Sequence, residues 1–204
     1  MNQLALKLKD VSVGYNGKSI IDNINLEINE GDIVYLFGSN GSGKSTLVKT
    51  ILGIVPALKG EISLFGEKNA QDTVSTYASY SPQYSTIDRD FPITVKEMIQ
   101  LECINSKKCD IEAEGHLKIF NSNYLINRKL NELSGGEFQK VLISRALIRS
   151  PKIIFFDEPT NNLDQNSEKI FFDLIKEMNA KMKTTFILIS HDKHLIEKNA
   201  DKMI

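Results

Sequence analysis

At 204 residues the chain is long enough for one domain with a substantial core, and its 41% apolar and 25% charged content is that of an ordinary globular protein. A formal net charge of −1 excludes the global basic field of a nucleic-acid-binding chain, and two cysteines, Cys103 and Cys109, exclude a disulfide framework and fit a reducing, cytosolic compartment. The N-terminus has no apolar signal-peptide core and no apolar run approaches the roughly 20 residues that span a bilayer, so any membrane role is expected to pass through a partner.

The first thirty residues read as β structure: Leu4, Leu6 and Leu8 alternate, Tyr15-Asn16-Gly17 turns, and Ile24, Leu26 and Ile28 alternate again. Ile33 to Phe37 is a nearly continuous apolar run, which suits a strand buried on both faces. Leu47, Val48, Ile51 and Leu52 then fall at helical spacing, with Gly53 as a stop. Thr94 and Glu97 form a capping-box pattern opening a helix through Val95, Met98, Ile99 and Ile104, and a second helix is expected from Ser134 or Gly135 to about Arg149. Two more apolar strands, Ile153 to Phe156 and Thr185 to Ile189, flank an amphipathic stripe of Ile170, Phe171, Leu174, Ile175 and Met178. Apolar strands alternating with helices imply an α/β fold with a mainly parallel sheet covered on both faces. An N-terminal antiparallel β subdomain precedes it. The expected boundaries are a core of residues 1–93 and 131–204 with a small helical subdomain at about 94–130.

Gly38-Ser39-Asn40-Gly41-Ser42-Gly43-Lys44-Ser45, followed by Thr46, stands directly after a buried strand and before a helix. This is the phosphate-binding P-loop pattern in its confirming context. Glycines let the backbone N–H groups converge on phosphate oxygens, and the helix adds its positive end. Lys44 supplies charge for the β- and γ-phosphates, and the Ser45 hydroxyl is placed to bind Mg²⁺. Asp157-Glu158 ends a second buried strand, beside the loop at the sheet's C-terminal edge. Asp157 suits the Mg²⁺ shell, and Glu158 suits a general base that polarises water.

Leu133-Ser134-Gly135-Gly136-Glu137 resembles the signature sequence of ABC ATPases, and it precedes the acidic strand at that family's spacing. Ser134 and the glycine amides at a helix start would form an anion-binding nest. The resemblance runs through nearly the whole chain and implies further roles. Tyr15 would stack on adenine, Gln83 would reach Mg²⁺ and water and face a membrane permease, and Asn162-Leu163-Asp164 would bridge two nucleotide sites. His191 would contact the γ-phosphate. It implies ATP and Mg²⁺ as cofactors, and a second ATPase domain, identical or different, facing the first head to tail. It also implies an integral membrane permease, no nucleic acid, and a place on the inner face of the cell membrane.

Tyr80-Ser81-Pro82-Gln83 followed by Asp88 to Val95 resembles the ATPase subunits of zinc and manganese uptake systems, with Phe91-Pro92 shaping a surface for a permease. Other importers and small-molecule or peptide exporters remain alternatives, and so does a soluble ABC ATPase acting on ribosomes. Ribosome-acting members normally join two ATPase domains, and this chain has one. There are departures: the helical segment is short, Glu137-Phe138-Gln139-Lys140 stands where the family often has Gln and Arg, and the chain ends soon after His191. A minimal subunit or a shortened C-terminus would explain the last. Cys103, Cys109 and His116 lack paired-ligand spacing and are expected to be packing and surface residues.

Overall fold

The computed structural model describes residues 3–68, 71–82, 88–103, 114–115, 117–118, 120–160, 164–190 and 202–204. Strand β1 (Leu4–Tyr15) runs into β2 (Lys18–Asn29) through a two-residue turn. Asn16 and Gly17 there take φ of 50° and 74°, the doubly left-handed turn that matches strand twist. On its other side β1 pairs antiparallel with β4 (Lys59–Leu64), and β4 with the short β5 (Glu67–Lys68), so the sheet order is β2-β1-β4-β5.

The apolar frame of β1 changes parity between Leu8 and Val11, and the structure gives the reason. Leu8 pairs with Leu26 and Val11 with Ile24, so β1 spends one residue more than β2 across this step. The extra residue makes a bulge, which turns Val11 and Val13 to the same buried side as Leu6 and Leu8. Asp10 stands there at φ 51°, exchanging hydrogen bonds with the Asn25 side chain at 3.0 and 3.1 Å. Gly60 (φ 86°) packs onto it from β4, where a Cβ would lie 2.4 Å from the Asp10 carbonyl oxygen.

The second sheet is parallel throughout, in the order β6 (Ala78–Ser81), β7 (Ile153–Asp157), β8 (Thr185–Ser190), β3 (Ile33–Phe37) and β9 (Lys202–Met203). Its apolar runs are continuous because both faces are covered. Val34, Leu36, Ile153, Phe155, Ile187 and Ile189 pack with the antiparallel sheet and α1 (Lys44–Ile51). The alternate residues Ile33, Tyr35, Ile154, Phe156, Phe186 and Leu188 pack against α4 (Gly135–Leu147) and α5 (Gln165–Met182). Between them, α2 (Gln71–Tyr77) leads into β6, and α3 (Val95–Gln100) opens on the expected capping box. Glu97 accepts the Thr94 N–H at 2.7 Å while Thr94 Oγ1 accepts the Glu97 N–H at 3.2 Å.

A third cluster gathers Val95, Met98, Ile99, Leu117, Leu125, Leu130 and Leu133 around Phe138, Val141 and Leu142 of α4. Farther along, Ile143, Ala146 and Leu147 of the same helix belong to the cluster beneath the parallel sheet. The helix is thus shared between two cores. It stops at Leu147, two residues before the expected end at Arg149; α3 gives way at Leu101 to a 3-10 turn, and Ile104 lies outside the described residues.

Phe171 is fully buried, edge-on to Phe156 at 5.5 Å and to Phe172 at 5.3 Å between ring centres. Phe171→Ala is expected to cost about 3–5 kcal/mol in chemical unfolding, the range for an emptied aromatic site. A loss below about 1 kcal/mol would contradict this packing.

Candidate functional site

The loop after β3 emerges at the C-terminal edge of the parallel sheet and turns back on itself before α1. Gly41 and Gly43 take φ of 80° and 95°, and the Ser42 N–H donates to the Ser39 carbonyl at 3.2 Å. At Gly43 a side chain is excluded on two grounds: the left-handed backbone, and Ile20 of β2, whose Cγ2 would lie 2.8 Å from a Cβ. Lys44, only 8% exposed, folds over the loop and donates to the carbonyls of Gly38 at 2.6 Å and Ser39 at 2.8 Å. A cleft of about 410 Å³ opens here, lined by Ile20, Asn40, Gly41, Gly43, Lys44, Ser45, Thr46 and Glu158.

Two strands away along the same edge, Asp157 closes β7 at 9% exposure. One carboxylate oxygen lies 3.5 Å from Ser45 Oγ, and the other accepts the Tyr80 hydroxyl at 3.0 Å. Burial, with the negative charge of Asp157 behind it, pushes the Tyr80 phenol above its ordinary pKa and keeps it a donor. Glu158 follows at φ 47°, left-handed for a non-glycine residue, with its N–H donating to the Ile189 carbonyl at 3.1 Å. The Ser45 hydroxyl and Asp157 carboxylate are hard oxygen donors, which suit Mg²⁺. Among the described residues no group of three or more His, Cys, Asp or Glu side chains gathers into a metal cage. A cation that keeps waters and phosphate ligands fits such a sparse set.

Ser134 caps α4: its Oγ accepts the Glu137 N–H at 3.3 Å, and Glu137 accepts the Ser134 N–H at 2.8 Å. Tyr124 donates to the same carboxylate at 3.1 Å, and Arg128 lies 3.6 Å from it. Gly136 faces Ser167 Oγ of α5, 3.7 Å from where its Cβ would be. Asp164 caps α5, accepting the N–H groups of Asn166 and Ser167 at 3.0 Å each and the Ser167 hydroxyl at 2.7 Å. Gln139, 2% exposed, donates its side-chain amide to the carbonyl of Pro159, the residue after Glu158.

Of the residues singled out in the sequence, Asn40, Gly41, Gly43, Lys44, Ser45, Thr46 and Glu158 come together on the cleft, with Asp157 against Ser45. Ser134, Gly135, Gly136 and Asp164 are not among its lining residues. Nor is Tyr15, which is 45% exposed at the end of β1. Gln83, Asn162, Leu163, His191, Cys109 and His116 lie outside the described residues. Tyr80 and Gln139 stand in stretches that carry the family resemblance, but the sequence gives neither a role of its own, and nothing in it points to Ile20.

The backbone bond from Ser134, reinforced by its hydroxyl, holds the Glu137 carboxyl below the usual glutamate range. A carboxyl depressed in the folded state stabilises fully above its unfolded pKa of about 4.3 and loses that contribution as pH falls through the folded value. In thermal denaturation, Glu137→Gln is therefore expected to be less stable than the parent at pH 6 and to converge with it toward pH 3. A difference independent of pH would contradict the capping bond.

A family model described as ABC transporter matches residues 21–161. Zinc import ATP-binding protein ZnuC of Wigglesworthia glossinidia brevipalpis is 36% identical over 98% of this chain and 81% of its own length. The protein of that name from Marinobacter nauticus is 31% identical over 100% of the chain and 75% of its own. Among solved structures, an inward-facing ABC transporter assigned to the metal-chelate type superimposes with a TM-score of 0.85 at 27% identity, covering 100% of this chain and 79% of the other. A dimeric bacterial ABC transporter cassette does so at 0.80 and 28%, covering 98% and 93%. The chain belongs to the ABC transporter family, as an ATP-binding, ATP-hydrolysing subunit.

Proposed function

We propose that ATP lies with its phosphates over the Gly38–Ser45 loop, in the cleft lined by Lys44, Ser45 and Glu158, and that its hydrolysis drives zinc uptake through a separate membrane permease. The observation that carries the site is the convergence on one sheet edge of a curled glycine loop, a buried lysine, and two adjacent carboxylates. Backbone amides and the start of α1 receive the phosphates, and Lys44 neutralises them. Mg²⁺, held beside Ser45 and Asp157, would supply charge stabilisation to the transferring phosphoryl group. Glu158 faces the cleft and acts as base toward water, assisted by His191. Tyr15 and Gln83 take the adenine and permease-facing roles that the family pattern assigns them.

Ser134, Gly135 and Gly136 line no part of their own chain's cleft. Their nest closes instead on the ATP of a second ATPase domain, and Asp164 lies at that shared boundary. The dimeric cassette among the structural relatives supports this arrangement. ATP then favours the closed pair and hydrolysis the open one, a population shift that moves attached permease helices. Among the described residues no helix is long and apolar enough to cross a membrane, so the permease supplies the passage and holds this subunit at the inner face. Zinc as cargo rests on the relatives' names and near full-chain similarity, which favour import over export or action on ribosomes.

Glu158→Gln is expected to bind ATP while hydrolysing it about 10²–10⁴-fold more slowly in a steady-state assay. Near-normal turnover would remove Glu158 as base. Lys44→Ala should lose ATP affinity itself in a direct binding titration, and unchanged binding would contradict the assigned loop. Cells carrying only Lys44→Ala should fail to grow under zinc chelation and recover when zinc is added. Recovery with manganese but not zinc would change the cargo.

A further inference from the structure

Tyr80 stands three residues before Gln83, without a role in the family pattern set out above, and it touches the centre of the site. It stands on β6, whose parallel register with β7 sets Tyr80 beside Phe155, two residues before Asp157. Its ring packs against the cluster under the antiparallel sheet, so the hydroxyl is delivered from an anchored body. That hydroxyl donates to one carboxylate oxygen of Asp157 at 3.0 Å, while the other lies 3.5 Å from Ser45 Oγ. The two oxygens of a nearly buried carboxylate thus have separate partners from separate elements. A phenol is a neutral donor: it fixes the group's rotation without cancelling its charge, as a lysine or arginine in the same place would.

We propose that Tyr80 is a positioning residue for the metal half of the ATP site, fixing one oxygen of Asp157 so that the other is presented beside Ser45 to Mg²⁺. This rests on the reading of Asp157 and Ser45 as the residues that would hold the ion. Without the hydroxyl, the carboxylate rotates freely and its inner oxygen is left without a donor. The site's hold on the divalent ion weakens while the phosphate-binding loop and Lys44 are untouched. Residues that orient a metal ligand commonly tune metal affinity by about 10–100-fold when removed.

The test is Tyr80→Phe, which deletes one oxygen and keeps the packing ring, made in the full chain carrying Glu158→Gln so that ATP persists. Mn²⁺, read by electron paramagnetic resonance, is the probe titrated into the ATP-loaded protein, and ATP affinity is measured separately in EDTA. The expected result is Mn²⁺ affinity lowered by about tenfold with ATP affinity in EDTA unchanged within about twofold. In the chain with Glu158 intact, the Mg²⁺ concentration for half-maximal hydrolysis should rise while kcat at saturating Mg²⁺ stays near the parent value. In an Asp157→Asn background, Tyr80→Phe should have no further effect on Mn²⁺ binding. Unchanged Mn²⁺ affinity, or equal loss of Mn²⁺ binding and metal-free ATP binding, would overturn the role of Tyr80. If Asp157→Asn alone leaves Mn²⁺ affinity intact, the reading of Asp157 fails first, and the two failures are told apart.

Discussion

Asp157 sits at 9% exposure between two hydroxyls, Ser45 from the helix after β3 and Tyr80 from β6. A carboxylate removed so far from water is tolerable only where donors or a cation meet it. Because β3, β6, β7 and β8 run parallel, their C-terminal ends share one edge, where Ser45 after β3, Tyr80 of β6 and Asp157 of β7 meet. The apolar runs that make those strands are the reason the edge is rigid: both faces of the sheet are closed by packed side chains, so only the ends are free to carry chemistry.

Helix α4 ties this edge to the rest of the molecule. Its first turns pack in the cluster with α3, its last turns beneath the parallel sheet, and Gln139 in the first turns holds the carbonyl next to Glu158. The capped start of that helix carries Ser134 and the two glycines, with Gly136 facing Ser167 at the capped start of α5. The helix that starts at Ser134 is thus hydrogen-bonded, through Gln139, to the turn that carries Glu158 at φ 47°.

What was legible in the sequence was what is local. The glycine loop, the Thr94–Glu97 capping box and the apolar strands each occupy consecutive or helix-spaced residues, and the structure places each where expected. The parity change in β1 was also written in the sequence, as Leu8 followed by Val11, but its meaning needed the pairing with β2 to appear. Short polar elements left no pattern. In β6, Ala78-Ser79-Tyr80-Ser81 is a strand because β7 lies beside it, and α2 is rich in β-branched and polar residues. Tyr80 and Gln139 act through partners 77 and 20 residues away, and no spacing rule encodes such a contact.

In the proposed function, ATP is held by the Gly38–Ser45 cleft of one chain and closed by the Ser134–Gly136 nest of another. The most direct measurement is an experimental structure of Glu158→Gln with MgATP. Phosphates are expected over the start of α1, with Ser45 and Asp157 beside the ion and Ser134 to Gly136 of a second ATPase domain against the γ-phosphate. ATP bound away from Lys44, or capped by the Ser134 of its own chain, would contradict it.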